Sequence, residues 1–206
     1  MGATAAALAA SARPAAPGRA QPHRYDVSLT GSQRTVVTRT GTTTDASGCT
    51  FRNADRDTRT IVFGSRKRLT LALGSELPLL RFAPRARVQG TFHRSATLVG
   101  STKGCTAPAP KDTSCGPAHV PARLTVRSVR RRVRLSGGFP RARDRDRCAT
   151  TLTSPDRFVV PSDSRLVRSP KGAPRVFLHG HLVERTTVGS VVETTVVDWR
   201  LTLRRV

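Results

Sequence analysis

The sequence predicts an all-β fold, a two-sheet antiparallel β-sandwich of about ten to twelve strands, on three observations. Val, Thr, Leu and Phe alternate with polar residues along much of the chain, as half-buried strands require. No window sustains the apolar spacing of an amphipathic helix. Clusters of Gly, Pro, Asn, Asp and Ser interrupt the apolar runs at short intervals, as turns do. Each apolar sheet face then needs a partner, and with no helices to cover it a second sheet must.

In chain order, the strands are expected at Tyr25–Thr30, Thr35–Arg39, Arg59–Phe63, Arg68–Leu73, Arg87–Phe92 and Ala96–Val99, then at Arg123–Arg127, Arg132–Ser136, Arg157–Val160, Arg175–Arg185 and Val191–Arg204. The last carries the clearest signal. Val197, Trp199, Leu201 and Leu203 alternate with Asp198, Arg200, Thr202 and Arg204, so one face is buried, the other wet, and Trp199 is a core anchor. Gly90 and Gly180 each interrupt a strand with a large apolar residue two positions on, which marks a bulge or a close backbone approach.

With 206 residues, the chain can form one large β domain or two small ones. Residues 1–22 read as a signal-like or disordered leader and 23–206 as a single sandwich domain. The Pro/Gly-rich stretch from Gly104 to Pro121 is either a disulfide-pinned loop or a linker dividing halves 23–103 and 121–206. The opening MGATAAALAASARPAAPGRA, with Ala10-Ser11-Ala12 closing an Ala-rich run, resembles the rear of a secretory signal peptide, although no Lys or Arg precedes the apolar stretch. No later run is long and apolar enough for a transmembrane helix.

Cys49, Cys105, Cys115 and Cys148 form an even set without Cys-x-x-Cys spacing, which points to disulfides rather than a zinc or redox site. The preferred pairing is Cys105 with Cys115, across the turn-rich TAPAPKDTS, and Cys49 with Cys148. The rival joins Cys49 to Cys105 and Cys115 to Cys148, and would signal two separate halves. Together with the leader, the cysteines place the protein outside the cytoplasm, secreted or in the cell envelope.

Lys and Arg total 36 against 13 Asp and Glu, a formal charge of +23. Only Lys67, Lys103, Lys111 and Lys171 are lysines. Arginine forks onto carboxylate or phosphate, so anionic polymers or surfaces are the expected partners. Aromatics make up only 4%, too few for a carbohydrate platform or a single-strand nucleic-acid surface. No helix-turn-helix, zinc finger, RNP-like strand or GxxG loop is present to read a nucleic-acid sequence.

Arg123, Arg127, Arg132 and Arg134 lie in two strand-like segments whose opposite phase is Leu124, Val126, Val133 and Leu135. They therefore share one sheet face, with Arg130 in the connecting turn. Like charges opposed across strands are unfavourable, so the face calls for salt, acidic neighbours or an anionic ligand. This is the expected anion-binding site. Arg141, Arg143, Arg145 and Arg147, relieved by Asp144 and Asp146, alternate in sign and read as a solvated loop.

His179 and His181 are two apart and would present two imidazoles on one face, a candidate metal pair. If Val183 pairs with Val192, they share that face with Val196 and Asp198; if with Glu193, they face Val197 and Trp199 in the core. A small metal-dependent enzyme is the alternative reading. No G-x-S-x-G elbow, paired-carboxylate motif or Cys–His arrangement supports catalysis, and no cofactor is implied.

Scarce lysine, arginine-rich strands, the Cys105-to-Gly116 segment and the Ala-rich leader together resemble the secreted Arg-rich β proteins of high-GC actinobacteria. That resemblance is one of general style; it implies export and β architecture and carries no functional residue across.

Overall fold

The computed structural model describes residues 22–72, 76–100, 104–129, 132–139, 157–163 and 175–206. Ten strands follow one another: β1 (Pro22–Thr44), β2 (Thr50–Ala72), β3 (Leu80–Phe82), β4 (Arg85–Gly100), β5 (Lys111–Pro121), β6 (Arg123–Val129), β7 (Arg132–Gly138), β8 (Arg157–Pro161), β9 (Arg175–Val188) and β10 (Val191–Arg205). They form a six-stranded sheet in the order β5-β4-β2-β1-β10-β9 and a four-stranded sheet in the order β3-β6-β7-β8. Every pairing is antiparallel. The all-β two-sheet sandwich is thus the fold. No helix long and apolar enough to cross a membrane occurs among the described residues.

Several expected strands are halves of longer ones. Tyr25–Thr30 and Thr35–Arg39 belong to β1, and the pairs on either side of Gly64 and of His93 belong to β2 and β4. Gly31-Ser32, which reads as a break, lies inside β1 because that strand is held on both edges, by β2 and by β10. Gly31 serves packing instead: a Cβ there would overlap the Phe63 ring and the Asp198 carbonyl. Strands β1 and β2 each run for 23 residues, about 75 Å, far beyond what the smaller sheet can cover.

The apolar core lies between the lower part of the large sheet and the inner face of the small one. Tyr25, Val27, Leu29, Phe63, Trp199, Leu201 and Leu203 meet Leu80, Leu124, Val126, Val133, Leu135 and Val160, all buried. Phe63, Phe139 and Phe158 form a cluster with ring centroids 5.9 to 6.4 Å apart. The alternation in β10 is as the sequence predicts, with Trp199 only 3% exposed. Gly180 faces Trp199 across the β9–β10 ladder; a side chain there would overlap Trp199 Nε1 and the Pro161 carbonyl oxygen. It is a close approach, whereas Gly90 borders the register shift between β4 and β5.

Beyond the apolar core the inner face turns polar. Gln33, Thr35, Asp57 and Arg59 are buried there. Thr35 and Thr195 hydroxyls are 3.2 Å apart, and Asp57 pairs with Arg39.

The chain changes sheet between β2 and β3, β3 and β4, β5 and β6, and β8 and β9, and two of these passages meet at one corner. Strand β3 leads into β4 through Ala83-Pro84 and β5 into β6 through Ala122, with Ala122 N–H donating to the Pro84 carbonyl at 2.9 Å. Such sheet-switching strands build sandwich corners. At the opposite side Asp163 N–H donates to the His179 carbonyl at 2.9 Å, tying the end of β8 to β9. Strand β1 lies between β2 and β10, so strands from 23–103 and 121–206 share one sheet.

Two expectations about the cysteine region are corrected. The stretch Gly104–Pro121 is not simply a loop, because Lys111–Pro121 is edge strand β5. An edge position tolerates its prolines, since no ladder needs their missing N–H. The pairing of Cys105 with Cys115 does not form; Cys49 and Cys105 are joined, with Cα atoms 5.8 Å apart. Asp45 brings Cys49 to the start of β2, its carboxylate accepting N–H bonds from Ser47 and Cys49, both at 2.9 Å. There Thr50 pairs with Gly100 at the end of β4, a few residues from Cys105. Cys115 is also disulfide-bonded, and Cys148, the one cysteine left, lies outside the described residues, as do Met1–Ala20 of the expected leader.

Candidate anion-binding face

The outer face of the four-stranded sheet is built by strict alternation. In β6 and β7, Leu124, Val126, Val133 and Leu135 point inward and are buried. Arg123, Arg127 and Arg132 are exposed on the opposite phase, with Arg134 half-buried beside them. Arg127 is directly opposite Arg134. The expected phase is therefore the one adopted. Arg130, and the alternating stretch from Arg141 to Arg147, lie outside the described residues.

Two arginines that sequence reasoning missed join them. Arg81 on β3 is opposite Thr125, and Arg157 on β8 is opposite Gly138, itself opposite Arg123. Both are exposed. Their alternation is visible in Leu80-Arg81-Phe82 and Arg157-Phe158, but membership in this face depends on a strand order that no local pattern encodes.

At the centre lie two hydroxyls. Thr125 and Ser136 are cross-strand partners, with oxygens 2.6 Å apart, and Thr125 Oγ1 also donates to the Ser136 carbonyl at 3.3 Å. Arg81 flanks the pair on β3, Arg123 and Arg127 stand two residues away along β6, and Arg134 two residues away along β7. Residues two apart on a strand share a face at about 6.6 Å spacing. Two short hydroxyl side chains thus stand among longer arginines on one face. None of β3, β6, β7 and β8 contains an aspartate or glutamate. No described carboxylate forms a salt bridge with these arginines. Arg134 Nε is buried without an acceptor.

The histidine pair lies elsewhere, on the outer face of the six-stranded sheet. Val183 pairs with Val196, which puts His181 opposite Asp198 and His179 opposite Arg200. The exact pairing differs from both registers considered, but its parity places the histidines with Val196 and Asp198 on the solvent face. They do not converge on a common point. His181 Nδ1 is 2.7 Å from Asp198, whereas His179 Nε2 is 3.0 Å from Asp163. Among the described residues no group of three or more His, Cys, Asp or Glu is arranged to hold a metal ion. An open groove of about 590 Å³ runs beside them, floored by Thr30, Gly31 and Ser32 and bordered by Arg200 and Val62.

No protein-family model matches the chain, and no curated protein matches its sequence.

Proposed function

We propose that this is a non-enzymatic protein of the extracytoplasmic space that binds anionic polymers or surfaces through the outer face of its four-stranded sheet. The observation that carries this reading is a set of arginines with Arg127 directly opposed to Arg134 on strands that contain no acidic residue. Opposed like charges oppose sheet formation, and a bound anion relieves that repulsion while gaining forked, charge-assisted hydrogen bonds. Placement outside the cytoplasm is supported by the Cys49–Cys105 bond and by the absence of free cysteines among the described residues, since disulfides persist in oxidising compartments. Phosphate or sulfate contacts of this kind give affinity without sequence specificity.

The test is retention on a heparin column, comparing two variants of equal net charge. One carries Arg123→Gln, Arg127→Gln, Arg132→Gln and Arg134→Gln. The other carries Arg56→Gln, Arg66→Gln, Arg85→Gln and Arg185→Gln, all exposed positions on the six-stranded sheet. The first is expected to elute at markedly lower salt than the second. Equal elution would overturn the reading and leave only a diffuse effect of total charge.

A further inference from the structure

We propose, resting on the reading above, that the Thr125–Ser136 hydroxyl pair is the floor of a discrete subsite for one phosphate group of a linear phosphate-bearing polymer. The general reading requires only a positive face; the subsite assigns its centre and the shape of what it takes. With Thr125 Oγ1 donating its one hydrogen to the Ser136 hydroxyl, one of the two directions open to the 2.6 Å contact, the Ser136 hydroxyl hydrogen is free to donate outward. Around it Arg81, Arg123, Arg127 and Arg134 approach from different sides, on three strands.

That distribution of donors favours a tetrahedral group. A carboxylate presents two oxygens in one plane and is saturated by a single guanidinium fork. An internal phosphate of a linear chain keeps two unesterified oxygens on a tetrahedral centre, so one meets the hydroxyls while the other, able to accept more than one hydrogen bond, meets arginines. Neighbouring phosphates of the same chain then have Arg132, one further step along β7, and Arg157, across on β8, to follow. A soluble chain fits better than a bilayer. Among the described residues the exposed large apolar side chains here are Leu79 and Val159, beside β3 and on β8 at opposite edges of the sheet, and they form no contiguous wedge for insertion.

The experiment titrates the full chain, at constant ionic strength in chloride, with inorganic phosphate, sulfate, acetate and a short inorganic polyphosphate, following backbone amide shifts. Saturable phosphate binding centred on Thr125 and Ser136 is expected, with polyphosphate tighter and acetate weaker. Sulfate separates the sources of a tetrahedral anion: binding equal to phosphate assigns the site to tetrahedral oxyanions generally and overturns its restriction to phosphate. Thr125→Val with Ser136→Ala should weaken phosphate by about tenfold or more, as expected for a lost charge-assisted hydrogen bond, while heparin retention stays within reach of the parent. Should that double variant fold poorly, Arg81→Gln, at an exposed position on a short edge strand, must also weaken phosphate. Phosphate affinity unchanged in these variants, or acetate binding as tightly, would overturn the subsite and leave the polyanion reading standing. Vesicles of phosphatidylglycerol bound tightly by the hydroxyl-less variant would overturn the soluble-chain assignment. The polyanion reading itself fails only through the separate heparin comparison.

Discussion

On the outer face of the six-stranded sheet several cations have partners: Arg68 lies 3.6 Å from Asp26, His181 2.7 Å from Asp198, and Arg175, itself opposite Arg204, and Arg200 stand 5.6 and 5.9 Å from the Phe177 ring centre. On the outer face of the four-stranded sheet the arginines have neighbouring arginines and two hydroxyls. Both faces belong to one strongly basic chain, so total charge does not distinguish them. On the proposed reading, a formal +23 becomes a site where counter-charge is withheld. Where it is interleaved, short-range pairing and salt screening absorb most of the field.

The comparison assumes that both faces are backs of one core, and the largest effect should come from breaking that core. Leu201, fully buried on β10, should cost about 2–5 kcal/mol when changed to Ala. Denaturant unfolding followed by Trp199 fluorescence and by hydrogen exchange in β6 and β7 should then give one shared transition. Separate transitions would show that the two sheets are independent and the faces not comparable. Next in size is the disulfide. Replacing Cys49 and Cys105 by Ser opens a loop with a sequence separation of 56 and should lower stability by about 2–4 kcal/mol, read as a drop in denaturant midpoint. Anion affinity measured under native conditions should be unchanged, because the bond joins the turn before β2 to the connection between β4 and β5, both of the large sheet.

A smaller contrast separates inside from outside. Asp57, with its side chain 1% exposed, holds Arg39, and Asp57→Ala should cost about 2–3 kcal/mol by removing a buried carboxylate from a partly buried cation. Asp26→Ala removes a solvent-exposed pairing with Arg68 and should cost less than about 1 kcal/mol. Thermal melts of the two variants check the order; equal losses would mean that the polar inner band contributes nothing specific. The smallest effect is a single surface charge. Arg127→Gln should reduce the salt dependence of polyanion binding by about one counterion, whereas Arg66→Gln should leave it nearly unchanged.

How much of this was legible depends on whether a feature is local. Alternation is local, so the buried Val197, Trp199, Leu201 and Leu203 and the shared phase of Arg123, Arg127, Arg132 and Arg134 follow from side chains pointing alternately to either face. Strand ends were less legible, because Gly31-Ser32 reads as a break until β2 and β10 are seen to hold it from both sides. Strand β5 was hidden by Gly116 and Pro117, acceptable on an edge and contrary to ordinary strand composition. That the cysteines form disulfides was legible, but the choice of pairing was not: Cys49 meets Cys105, the rival and not the preferred pairing, because β4 pairs with β2, a fact of sheet order. For the same reason Arg81 and Arg157 could not be assigned to the basic face from sequence, and the Thr125–Ser136 pair at its centre came into view only with the β6–β7 register.

The central claim is that one face, and not the chain's overall charge, engages the anion. The most direct measurement is arginine-selective chemical modification with and without a saturating polyanion, read residue by residue by mass spectrometry. Protection is predicted at Arg81, Arg123, Arg127, Arg132, Arg134 and Arg157, with Arg56, Arg66, Arg85 and Arg185 modified as before. Protection spread evenly over both sets, or concentrated on the six-stranded sheet, would contradict the account.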